Sequence, residues 1–274
     1  MKRLIMETDA GQFRANLSRP IDISIPLDFT GSQPSHFGAP AATATAIRSG
    51  DFVGDVRLGG SCNCEEFRLT PHCNGTHTEC VGHVTHERTS VHELLKNGPE
   101  IALLLTVQPV LSADTSETSQ PAPQRADLVI TAHALSAAWE PWRKLTPVAL
   151  VLRTAPNDLA KMKRRYADAS PPPYLTLVAV ELIVARGIEH LLLDLPSLDR
   201  THDEGHLSCH RLFWGLPPGG RSIAQARRPH ATVTEMVFVP DDVADGLYLL
   251  DLQLAPFVAD ATPSRPLLFP LEMA

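Results

Sequence analysis

The sequence has no surplus of basic charge: its 274 residues include 24 Lys and Arg against 31 Asp and Glu, a formal net charge of -7. That leaves no broad positive face for nucleic acid, so no nucleic-acid partner is expected. No apolar run reaches the roughly 18 residues a membrane-spanning helix needs, and no membrane partner is expected. Met1–Met6 begins basic and then apolar, but Glu7, Asp9 and Gln12 interrupt it before a signal-peptide core forms, which points to a cytoplasmic protein. The five cysteines are an odd set, which argues against a disulfide framework and for free or metal-binding thiols. No internal repeat or linker-like stretch divides the chain. A single domain is therefore expected over residues 1–274, with residues 1–20 as an N-terminal arm and a short helix over Ala10–Leu17.

One dense stretch stands against these absences: His72-Cys73-Asn74-Gly75-Thr76-His77-Thr78-Glu79-Cys80-Val81-Gly82-His83. It offers imidazoles, thiols and a carboxylate, the donors that zinc and neighbouring divalent metals take. His77 and Glu79 are two apart, so an extended backbone turns both to one face, where they can share an ion. Gly75 permits a sharp turn just before them. His83 lies beyond Gly82, close enough to return to the same pocket, and an imidazole there suits a general acid/base near neutral pH. Cys73 as a ligand adds thiolate charge and favours zinc over manganese. The alternative is a small buried thiol beside the site, with His72 reaching the metal instead.

The pattern Gly75-Thr76-His77-x-Glu79-x-x-x-His83 resembles the signature His-x-Gly-Thr-His-x-Asp-x-Pro-x-His of the metal-dependent cyclase and kynurenine formamidase family. Cys73, Glu79 and Val81 stand where that signature has histidine, aspartate and proline. The resemblance continues through Asp22-x-Ser24-x-Pro26, Asp194-Leu195-Pro196-Ser197-Leu198-Asp199, His210–Gly215, the strand around Glu235 and Ser264-Arg265-Pro266. It implies a single α/β domain, with mixed β-sheets or a flattened barrel flanked by helices, in the swivelling β/β/α manner. It also implies a metal, zinc first and manganese second, held by Cys73, His77, Glu79, His210 and Glu235. His206 is the alternative to His210. A homodimer or larger homo-oligomer is implied too, with the apolar residues around Phe213–Leu216 as a candidate interface.

Elsewhere the patterning is coarser. Ile101–Val107, Val148–Thr154 and His190–Asp194 are short apolar runs of the kind that form buried strands. Thr131–Trp139 and Thr176–Arg186 suit helices, the second stopped by Gly187. Residues 112–126 are polar and Pro-rich and read as a mobile, solvated loop, while Asn157–Ala169 reads as a basic surface helix. Phe37 and Trp214 are candidates to contact substrate, with His36 beside Phe37 in a Gly- and Pro-rich loop.

Two functions follow. The first is a metal-dependent, arylformamidase-like hydrolase of a formamide or cyclic amide of small size, in which His83 manages the proton. The second is an inactive relative that binds metal or a small ligand, motivated by Cys73 and Glu79.

Overall fold

The apolar runs become the centre of a large sheet. The computed structural model describes residues 3–8, 11–95, 98–166 and 171–273. Ten strands join in this sheet: β1 (Arg3–Thr8), β2 (Gly11–Asn16), β3 (Ile21–Asp22), β4 (His77–Glu79), β5 (Glu100–Val107), β6 (Ala149–Thr154), β7 (His190–Leu193), β8 (Thr232–Glu235), β9 (Gly246–Leu254) and β10 (Ala261–Met273). Their order is β1-β2-β10-β9-β5-β6-β7-β8-β4, and β4 pairs again with β10, which closes a seven-stranded mixed barrel. Strands β5 to β8 run parallel, and the remaining pairs are antiparallel.

Period-two alternation divides the wall into two buried faces. Ala102, Leu104, Ala149, Val151 and Leu192 fill the barrel interior with Ile23, Tyr248 and Leu268. Leu103, Leu105, Leu150, Leu152, Leu191, Leu193 and Val233 face outward into a second core. Helices α2 (Ala132–Trp139), α3 (Leu177–Ala185) and α4 (Ser208–Trp214) cover that face; α1 is the single turn Val91–Leu94. Burial of each such leucine contributes about 1.5–3 kcal/mol relative to exposure, which is why both faces of the parallel strands are apolar. Thr131 and Thr176 cap α2 and α3 with side-chain oxygens, and α3 ends before Gly187 at φ 78°.

Three expectations are corrected. The helix expected over Ala10–Leu17 is strand β2, paired with β1 and β10, and its Ala10 lies outside the described residues. Phe13 and Ala15 point inward and Gln12 and Arg14 outward, which is a strand's alternation. The basic helix expected over Asn157–Ala169 is a single 3-10 turn, Leu159–Lys163, with residues 167–169 outside the described set. The 112–126 segment is a largely exposed loop, and within it the Glu117 carboxylate accepts bonds from Ala132 N, His133 N and Thr176 Oγ1. Finally, Phe213, Trp214 and Leu216 are buried in the core, so these residues offer no surface for an interface. Among the described residues no helix is long and apolar enough to cross a membrane.

Candidate metal centre

Strand register builds the site. In the antiparallel pair β4–β8, Glu235 lies opposite His77 and Thr234 opposite Thr78. Thr78 and Thr234 share a hydroxyl hydrogen bond of 2.8 Å on one face. His77, Glu79 and Glu235 therefore occupy the other face, level with Val233 and under the helices. Gly75 sits at φ 129°, so the backbone enters β4 through a conformation a side chain would strain. Thr76 ties this entry to the barrel: its hydroxyl accepts from Ile25 N and donates to Met236 O.

Helix α4 contributes His210. Asp199 accepts hydrogen bonds from Cys209 N (2.7 Å) and His210 N (3.1 Å), and the same carboxylate takes His210 Nδ1–H at 2.6 Å. One carboxylate thus fixes both the start of the helix and the ring it carries. His77 is held similarly, its Nδ1–H donating to Gly75 O at 2.9 Å. His72, in the 3-10 turn Pro71–Cys73, has Nε2 2.9 Å from Asp260 Oδ2 and Nδ1 2.9 Å from Glu79 Oε2.

The inner nitrogens converge on two buried carboxylates. His210 Nε2 lies 2.8 Å from Glu79 Oε1 and 3.5 Å from Glu235 Oε1, and His77 Nε2 lies 3.4 Å from Glu235 Oε2. Yet His77 Nε2, His210 Nε2 and Glu79 Oε1 make no hydrogen bond. The close His210–Glu79 approach is an ionic contact whose geometry is misaligned for a hydrogen bond. Donor atoms that crowd together without bonding one another are arranged as ligands of a common ion are, at about 2.0–2.2 Å from it. Anchoring of a histidine's outer nitrogen by an oxygen is likewise the usual support for a metal-bound ring. The residues present fit a divalent metal.

Charge agrees with the geometry. Burial works to raise Glu79, but His83, His210 and His72 overcome it and hold the carboxyl well below its ordinary range. Burial works to lower His210, but Glu79, Asp199 and Glu235 raise it well above the usual imidazole range. His72, against the same burial, is pushed up to about 10 by Asp260 and Glu79. Such a field favours positive charge, whether proton or cation.

The other candidates fall in different places. His83 is half-buried at the rim, its ring stacked on His72 with centroids 4.2 Å apart, and its Nε2 is 3.9 Å from Glu79 Oε2. Cys73 is buried, and burial followed by the nearby Glu235 raises its thiol; it is not among the clustered donors, whereas His72 is. His206 stands apart from the clustered donors, 42% exposed and 3.8 Å from Glu204, in a cavity lined by Leu177, Glu181 and Arg211. Trp214 is fully buried behind His210, with its indole N–H on Ala231 O, so it is a packing residue and not a substrate contact. Phe37 is exposed at φ 50° and lies against His36.

Sequence reasoning missed Asp199 as the anchor of His210, Asp260 beside His72, and the condition of His36. The last is fully buried, with both ring nitrogens unpartnered. Burial lowers it to about 4, only partly opposed by Glu235, with His202 and His77 adding to the lowering. Its backbone N donates to Cys73 O at 3.2 Å, which ties its loop to the 3-10 turn Pro71–Cys73.

Several solved structures share the fold. One is described as a predicted metal-dependent hydrolase from Bacillus stearothermophilus, 15% identical, with 92% of this chain and 98% of that one covered and a TM-score of 0.56. A potential metal-dependent hydrolase with cyclase activity is 14% identical, with 92% and 97% covered and a TM-score of 0.59. Isatin hydrolase A from Labrenzia aggregata is 15% identical, with 92% and 93% covered and a TM-score of 0.58. No curated protein matches the sequence. The model of the putative cyclase family matches residues 17–200. That match takes in both the β4 signature and the Asp199 anchor, and the chain belongs to the putative cyclase family.

Proposed function

We propose that this protein is a metal-dependent hydrolase of amide-type C–N bonds in a small formamide or cyclic amide. The observation that supports it best is the set of imidazoles anchored on their outer nitrogens while the inner ones crowd, unbonded, around Glu79 and Glu235. The similarly folded isatin hydrolase supports the cyclic-amide class by analogy of fold.

His77, Glu79, His210 and Glu235 would hold the ion, zinc or manganese. Bound there, such an ion lowers the pKa of water and polarises a carbonyl oxygen. The protein's own groups divide the remaining work. Glu79 and Glu235 are buried, so they present fixed charge and need little reorganisation. His83, at the rim, accepts a proton from the attacking water at Nε2 and delivers it to the departing nitrogen. Its partial exposure lets that nitrogen re-equilibrate with solvent.

The test is metal content by plasma mass spectrometry, followed by turnover of isatin and of N-formyl arylamines with and without chelator. Near-stoichiometric zinc or manganese, with chelator-sensitive ring opening or deformylation and its loss in His83→Ala, is the expected result. Bound metal with no turnover of any formamide or lactam would leave the ligand-binding relative as the correct reading.

A further inference from the structure

The ligand turn presents a problem of aim. Pro71–Cys73 is one turn of 3-10 helix, so neighbouring side chains diverge by about 120° and only one of His72 and Cys73 can face the ion. The turn is stiff: Cys73 N and Asn74 N both donate to Thr70 O, and the Asn74 side chain bridges Thr70 N and Pro40 O. Nothing within the turn selects His72. The selecting group comes from the far end of the chain.

Asp260 precedes β10, whose first residue Ala261 pairs with Glu79. Its backbone carbonyl accepts from Cys80 N at 3.0 Å, which fixes it beside the ligand strand. Its Oδ2 lies 2.9 Å from His72 Nε2 and 3.5 Å from His83 Nδ1. The same ring's Nδ1 is 2.9 Å from Glu79 Oε2, and His72, His77 and Glu79 form one cluster of mutually close donors. Carboxylate, imidazole and metal pocket thus follow one another in the same order as Asp199, His210 and the pocket.

We propose that Asp260 is a positioning residue that makes His72 a ligand of the metal: it accepts the Nε2–H, fixes that tautomer, and turns Nδ1 inward where Cys73 cannot reach. Through the same oxygen it orients His83, so one carboxylate sets both a ligand and the acid/base. This rests on the metal reading above.

The experiment is a Zn2+ titration of chelator-stripped full-length protein against a chromophoric competitor, with Co2+ absorption spectra, for wild type, Asp260→Asn, His72→Gln, the double variant and Cys73→Ser. Thermal melts of each apo protein check folding. Asp260→Asn is expected to weaken Zn2+ binding about 10- to 100-fold. His72→Gln should weaken it at least as much, and the double variant no more than His72→Gln alone, because Asp260 acts through that ring. Cys73→Ser should keep the wild-type Co2+ spectrum. Should a variant fail to fold, long-range 1H–15N imidazole spectra of the Zn2+-loaded wild type decide the point, with His72 expected as the Nε2–H tautomer. Wild-type affinity in Asp260→Asn, losses that multiply in the double variant, or an Nδ1–H tautomer at His72 overturns the proposal. Wild type that binds neither Zn2+ nor Co2+ overturns the metal reading itself, a different failure.

Discussion

Two of the buried charged clusters among the described residues are built in opposite ways. At one, Lys161 Nζ donates to Asp194 Oδ2 (2.7 Å), Thr154 O (2.7 Å), Thr154 Oγ1 (2.9 Å) and Asn157 Oδ1 (3.2 Å). Asp194 also accepts from Thr154 N and Thr154 Oγ1, so every charge there has its partners. At the other, His36, His77 Nε2, His210 Nε2 and Glu79 Oε1 are buried without a hydrogen-bond partner, although His210 and Glu79 meet as an ion pair. A saturated network fixes a fold, whereas a buried polar atom left unpaired costs about 1–3 kcal/mol and persists where something else supplies the partner. The first cluster is architecture, and the second is prepared for a guest.

Substitution separates them. The largest effect is expected at the prepared cluster: Glu79→Gln should weaken zinc binding more than about 100-fold and abolish turnover, since a direct ligand outweighs its supports. Plasma mass spectrometry beside a turnover assay reads both. At the saturated cluster, Lys161→Met leaves the buried Asp194 without its cation, and chemical denaturation should show a loss of about 3–5 kcal/mol with metal content unchanged. Loss of metal from folded Lys161→Met would blur the distinction.

His36 sharpens the comparison through pH. Its folded value is about 4 against an ordinary 6.5, so between these values the unfolded chain binds the extra proton. Stability of the apo protein should fall as pH drops through that window, by up to about 3 kcal/mol from this group. His36→Phe should remove that share and stabilise the apo protein at pH 7 by about 1–3 kcal/mol, since no orphaned nitrogens remain. Unchanged acid sensitivity in His36→Phe would mean that other groups set it. The smallest effect is expected at Cys73→Ser, whose metal affinity should stay within a few-fold of wild type because its thiol lies outside the donor cluster.

What was legible in the sequence follows contact range. The pair His77 and Glu79 was readable because spacing of two on a strand is a local fact, and the buried strands because their apolar runs are local too. Glu235 and His210 were reachable only through the family resemblance, since their approach to Glu79 depends on β8 register and on the cap of α4. Asp260 was out of reach, for its contact with His72 spans 188 residues. Lys161 was misread as part of a solvated basic face, because nothing near it announces the Asp194 carboxylate. Residues around Phe13 were misread as helical because the chain there supplies only one side of a packing that β10 completes.

The barrel's joint is its shortest strand. β4 has three residues, and those three make the ladders to both β8 and β10 that close the ring. Two of the three are His77 and Glu79, so the ion would sit at the clasp. Binding there lends its free energy to the same hydrogen bonds that hold the ring shut. Amide exchange should therefore slow on metal addition along β4, β8 and the first residues of β10, and leave the β5–β6–β7 wall as it was. In such a molecule a bound ion would also be a latch, tightening a ring at its shortest strand.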